Sequence, residues 1–254
     1  MANKLDLTRI VLLMALALVL GLGASCKKSA DQAAPPDEAQ EPPAPAESSA
    51  MQANLVPIEI DLPHQMFVGT PQDIKVPNLE KLSETKRPSF LAPDGTVNLA
   101  AGKPVSSSDE APIIGELTMI TDGDKEASDG SYVELGPGVQ HVTVDLEEPG
   151  ELYAIIVWHY HKQPRVYFDV VVQLASDPDF IMDVKTVFNN DADNSAGQGI
   201  GQDMHYVDTY EGRLIDLLST GSPKARYVRL YSNGNNNNDL NHYIEVEVYG
   251  KPVE

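Results

Sequence analysis

Cysteine is almost absent: Cys26 stands alone in a chain of 254 residues. No disulfide can form within the chain, and no cysteine-based zinc site is available. Positive charge is scarce as well. Lys and Arg number 18 against 38 Asp and Glu, a formal net charge of -20. Nucleic acids and anionic membrane surfaces select basic patches, so neither is an expected partner. An acidic balance fits a solvated exported domain, and carboxylates are also the hard oxygen ligands that calcium takes. No Gly-x-Ser-x-Gly and no phosphate loop occurs, and the folded part holds no cysteine nucleophile. Carboxylates are plentiful, but without a spatial constraint no pair of them stands out as an acid and base. Long helical periodicity is missing too, which argues against an α/β architecture. The reading is therefore non-enzymatic.

What is present begins with an export signal. Lys4 and Arg9, diluted by Asp6, precede an apolar run from Ile10 to Leu22 and the small residues Gly23, Ala24 and Ser25. The run is short for a membrane span, and the order of charged, apolar and small residues is that of a secretory signal. "LGASC" resembles the lipobox of bacterial lipoproteins, so residues 1–25 read as a signal peptide and Cys26 as the lipidated mature N-terminus. Lys27, in place of Asp, points by that resemblance to the outer membrane or cell surface. The plainer alternative is a secretory signal followed by a chance cysteine. Residues 26–50 carry no aliphatic side chain larger than Ala and are rich in Pro, Ala and Glu. Such a segment cannot bury a core and is expected to be a disordered, extended tether. Lipid, tether and globular part together make a display arrangement, with the membrane reached through the anchor.

Residues 51–96 hold short apolar pieces broken by prolines, read as an extension packed on the main domain. "VPNLEKLSETK" is read as a short helix starting near Asn78. From residue 97 to 254 the period is two. Val142, Val144 and Leu146 share a face. Val166, Phe168, Val170, Val172 and Leu174 line one side of a strand. Tyr227, Arg229 and Tyr231 oppose Arg226, Val228 and Leu230. Ile244, Val246 and Val248 face in, with Tyr243, Glu245, Glu247 and Tyr249 facing out. Gly, Asn, Asp and Pro clusters separate these runs, so the fold class is all-β, a sandwich or barrel.

Five pieces in order resemble the discoidin domain, also called the coagulation factor 5/8 type C domain. They are "NLAAGKPVSSSDE", "ITDGDKEASDGSYVELGPG", "VTVDLEEPGELYAIIVWHY", "ARYVRLYSNG" and "HYIEVEVYG". The resemblance covers about residues 97–251. It implies a galactose-binding-like jelly-roll β-sandwich, and among bacterial members mostly carbohydrate-binding modules and adhesins. It further implies a structural Ca²⁺ between the Asp-Gly turn and the last strand, at Asp122, Asp124 and Glu245. The alternative there is an acidic turn without an ion. A second acidic loop, residues 189–199, lacks the Gly and Glu that an EF-hand needs, and reads as a solvated turn.

"VWHYHKQPR", residues 157–165, is the stretch richest in chemistry. On a strand His159 and His161 would share a face with Tyr153, Ile155 and Val157, while Trp158 joins Ala154 and Ile156 in the core. A His-x-His pair can ligate zinc or iron, as in cupins, but Pro164 and Arg165 stand where a carboxylate is needed. His141 and His205 are not placed to complete a set by anything in the sequence. Where the strand emerges, His159, Tyr160 and Arg165 offer an aromatic face and hydrogen-bonding groups for a sugar, with His242 in the amide-rich stretch 231–243 as a further candidate. Many bacterial discoidin-like modules have a similar stretch. This chain keeps His159, Tyr160, Arg165 and Tyr167 and replaces the family's Asp-Gly turn with Gln163-Pro164. The expected function is a surface-anchored lipoprotein with a non-catalytic carbohydrate-binding domain and a structural calcium. The rivals are a structural or protein-interaction envelope lipoprotein that binds no sugar, and a cupin-like metalloenzyme.

Overall fold

The computed structural model describes residues 54–67, 74–83 and 85–253. The signal segment, Cys26 and the tether of residues 26–50 lie outside these described residues. Twelve strands follow in order: β1 (Leu55–Pro57), β2 (Leu91–Pro93), β3 (Val97–Asn98), β4 (Val105–Ser107), β5 (Val133–Leu135), β6 (Gln140–Trp158), β7 (Val171–Ala175), β8 (Lys185–Asn189), β9 (Arg213–Asp216), β10 (Lys224–Ser232), β11 (Asn241–Tyr243) and β12 (Glu245–Pro252). All their pairings are antiparallel. No α-helix occurs among the described residues. The fold is all-β, as the alternation predicts, and is a sandwich of jelly-roll character, as the resemblance implies.

One strand makes both layers. β6 turns a corner at "EEPG", where Glu147 has φ 67° and is followed by Glu148, Pro149 and Gly150. Residues before the corner pair with β4 and β10, residues after it pair with β9 and β12, and β10 reaches across the corner to Gly150 and Glu151. The first layer is β4, the start of β6, β10, β7 and β8. The second is β9, the end of β6, β12 and β3. Val142, Val144, Val172, Val228 and Leu230 of the first meet Leu152, Ile155, Val157, Val246 and Val248 of the second in the main core. These are the positions that alternation marks, because residues i and i+2 share a face.

The outer face of the second layer is buried too. Ala154, Ile156, Trp158, Ile244 and Tyr249 pack with Phe90 and Ala92, and with Ile58, Ile60 and Leu62. The covering residues come from the segment 54–93, where β1 pairs with β2 and Ile58 N–H donates to the Phe90 carbonyl. Glu247 and Tyr249, read as facing out, are therefore buried on this face, and Glu245, read the same way, is buried against the loop at Gly123. Tyr243 joins the main core, and Ile244 turns to the second cluster because the chain leaves β11 and enters β12 between them. Tyr153 falls in a bulge opposite Tyr249 and Gly250, so it sits with Ala154 rather than with Ile155.

Two further expectations fail locally. No helix starts near Asn78: Leu79 bridges to His205, and Glu80 N–H donates to the His205 carbonyl. Pairing with a distant segment overrides a weak local propensity. The strand drawn from Val166 begins only at Val171, because Asp169 has φ 51° and breaks the alternation. Tyr167 is buried in its place and Phe168 is half-buried.

Gly212 illustrates how tightly the second cluster closes. It has φ +67°, and a methyl group on it would come within 2.6 Å of the Trp158 indole. The turn can approach the ring only as glycine. Gly212→Ala is expected to cost about 2–4 kcal/mol from left-handed strain plus overpacking. Urea unfolding followed by circular dichroism checks this, and a loss below about 0.5 kcal/mol would mean that the turn simply backs away.

Candidate functional site

Beyond Trp158 the chain leaves the sheet and crosses the end of the sandwich. Asp208 N–H donates to the Arg165 carbonyl (2.8 Å) and pins this crossing segment. The Arg165 guanidinium lies 4.4 Å from the Tyr160 ring centre. Its Nη1 is 3.4 and 3.3 Å from the two ring nitrogens of His242. β11 pairs with β5 so that His242 stands opposite Glu134, and His242 Nε2–H donates to Glu134 Oε2 (3.0 Å). Tyr132 meets Tyr160 edge-on at 5.0 Å. Arg165, Tyr160 and His242 are thus brought together, with Tyr132 and Glu134 completing the group.

Burial and the adjoining Arg165 cation push His242 down to about 3, so it is a neutral donor at neutral pH. Burial raises the Glu134 carboxyl, and Arg165 opposes that rise. His159 and His242 are buried, and Tyr160 nearly so. Arg165 and Tyr132 are half-buried and carry the cluster to the surface. A cation stacked on an aromatic face, with a carboxylate and an imidazole behind it, can hold a hydroxylated or anionic group at its accessible rim. Tyr132, Glu134 and Asp208 were not foreseen.

His159 and His161 do not share a face. The His159 ring stacks on Tyr167 at 4.4 Å, next to the main core, and its Nδ1–H donates to Asp208 Oδ1 (3.3 Å). His161 instead donates through Nε2–H to the Lys125 carbonyl (3.0 Å), and the Lys125 ammonium lies over Trp158. The strand that would have aligned them stops at Trp158. His141 packs against Tyr231, and His205 against Phe168, so neither joins them.

The first acidic loop closes over Glu245. This side chain is fully buried, and its Oε2 accepts the Gly123 N–H (3.1 Å). Its Oε1 has no partner among the described residues. Burial pushes the carboxyl up to about 8, with Glu247 and Asp122 adding to the rise. Asp122 and Asp124 turn their Oδ1 atoms onto the N–H groups of Asp124 and Glu126. The carboxylate oxygens of Asp122, Asp124 and Glu245 do not meet as a trio, so a calcium at Glu245 would need backbone carbonyls of the loop among its ligands. The second acidic loop is not simply solvated: Asp191 is fully buried and accepts the N–H groups of Ser195 and Ala196. Among the described residues the one trio of acidic oxygens within 4.8 Å of one another is Asp169, Asp191 and Asp193.

No protein-family model and no curated protein matches the chain. Solved structures do. A family 89 glycoside hydrolase from Clostridium perfringens is 19% identical over 62% of this chain and 15% of its own, with TM-score 0.44. A fucose binding module from Streptococcus pneumoniae is 17% identical over 62% of this chain and 98% of its own, with TM-score 0.43. A chitosan-binding module from Paenibacillus sp. IK-5 is 19% identical over 61% and 99%, with TM-score 0.39. At these levels the likeness says nothing of this chain's ligand.

Proposed function

We propose that the chain is an exported lipoprotein, anchored through Cys26, whose sandwich is a non-catalytic carbohydrate-binding domain with a structural calcium under the loop of Asp122 and Asp124 at Glu245. The observation that carries the sugar reading is the group of Arg165 stacked on Tyr160 beside His242 and Glu134, reaching solvent at Arg165 and Tyr132. Sugars are held by an aromatic face and by donors and acceptors in fixed geometry, and this group supplies both. His159 is a supporting residue in this reading, beneath Tyr167.

The test is a glycan array on the full chain, run with calcium and with EDTA. A hit that weakens at least tenfold in Arg165→Ala, with folding intact, supports the reading. The burial of His159 and His242 favours a second reading, in which the cluster only holds the sandwich end and the domain docks an envelope protein. A blank array from folded, calcium-loaded protein would select that one. Membrane association that persists unchanged in Cys26→Ser would remove the anchor.

A further inference from the structure

Two isoleucines stand beside the Arg165 group and belong to none of the apolar clusters. Ile113 N–H donates to the Glu134 carbonyl (2.7 Å), and Glu134 N–H donates to the Ile114 carbonyl (2.9 Å). Two residues thus oppose one, the arrangement of a β-bulge, which re-aims side chains next to binding sites. Ile114 bridges to Glu134 on one side of β5, and His242 pairs with Glu134 on the other. Paired residues of an antiparallel ladder share a face, with Cβ atoms about 4.5–5.5 Å apart. Glu134 and His242 do share one, since their side chains are hydrogen-bonded. Ile114 continues that row, so the polar pair has an apolar neighbour on its own face.

The local backbone fixes this placement. Gly115 has φ +75°, and a methyl group on it would run into the Tyr132 carbonyl oxygen. Only glycine lets residues 113–115 lie so close along Tyr132 and Glu134. Asp109 ties the same segment down by accepting the N–H groups of Ala111 and Gly136. Ile114 is half-buried and Ile113 is 57% exposed, so both are open to an incoming molecule. The polar exposure beside them is at Arg165, half-buried with its Nε sealed in, and at Glu134, whose side chain is 12% exposed. The guanidinium donates to hydroxyls and the carboxylate accepts from them. A further hydroxyl aimed at Ile114 would lose its water and find no partner, whereas a methyl there buries apolar area. Resting on the sugar reading above, we propose that the Arg165 group selects sugars that carry a methyl group, and that Ile113 and Ile114 determine this specificity. A 6-deoxy carbon and an N-acetyl group both supply that chemistry.

The experiment is calorimetric titration of the full chain with paired sugars. L-fucose is set against D-arabinose and L-rhamnose against L-lyxose, in each case the same ring without the methyl. N-acetylglucosamine is set against glucose. At least one pair should favour the methyl-bearing member about tenfold, the low end for one carbon in an apolar pocket. Preference in either of the first two pairs marks a deoxy sugar, and in the third alone an acetamido sugar. Ile113→Ala, at the exposed position, and Ile114→Thr, which keeps the branched shape, should each weaken the methyl-bearing member and cut the preference to about twofold. Arg165→Ala should abolish binding of both members. The inference is overturned if sugars bind through Arg165 and no pair favours the methyl, or if the preference survives both isoleucine variants. If no sugar binds, or binding survives Arg165→Ala, the sugar reading of this site falls and the inference falls with it.

Discussion

Trp158→Ala is expected to destabilise the domain by about 3–5 kcal/mol, the range for losing a large buried aromatic. The ring is fully buried at the centre of the second cluster. Its Nε1–H donates to the Tyr210 carbonyl (2.9 Å), and the Lys125 ammonium lies 5.3 Å from its centre. Lys125 is itself buried and paired with Glu247 at 2.7 Å. Removing the indole leaves a cavity, an unpaired carbonyl and a buried ion pair without its aromatic cover. Trp158→Phe should cost less, since it keeps the apolar volume and loses only the donor. Phe90→Ala, across the cluster, should lower stability in the same single transition. Urea unfolding by circular dichroism measures all three. A separate early transition in Phe90→Ala would show that residues 54–93 fold independently of the sandwich.

Glu245→Gln should raise stability in EDTA and abolish the response to calcium. The carboxyl is pushed up to about 8 in the folded chain, from an ordinary value of 4.5. A group raised in the fold gives its full stabilisation below the unfolded value and loses it as pH rises through the folded one. Without calcium, wild type should therefore weaken relative to Glu245→Gln between pH 6 and 8 by about 2 kcal/mol. Calcium at a hundredfold excess over its dissociation constant should restore about 2.7 kcal/mol to wild type and nothing to the variant. If wild type melts identically in calcium and in EDTA, Glu245 holds no ion and is merely a buried acid; if the variant's difference does not change with pH, its carboxyl is not raised.

Alternation exposed the main core well. Val142, Val144, Val228 and Leu230 are where a period of two puts them, because each side chain direction is set within its own strand. It failed wherever a distant segment decided the outcome. Glu247 looks solvent-facing along β12, and nothing nearby in sequence says that Phe90 and Ile60 lie in a layer over that face. Leu79 looks helical until His205 pairs with it. The Arg165 cluster was half legible. Arg165, Tyr160 and His242 carry chemistry visible in any sequence. Glu134 enters only through the register of β11 against β5, which no local pattern encodes. The parity argument for His159 and His161 lapsed because the strand ends at Trp158, before either histidine.

The position of β12 bears on how the chain is made. It lies inside the second layer, between β3 and β6, although it follows every other described strand in sequence. Until residues 245–252 emerge, the end of β6 has a vacant edge and the main core lacks Val246 and Val248. Neither layer can then close on the other. Such a fold has few local contacts to nucleate early, and a domain forms as a unit. A truncation that removes only β12 is therefore expected to leave a chain that cannot close the sandwich.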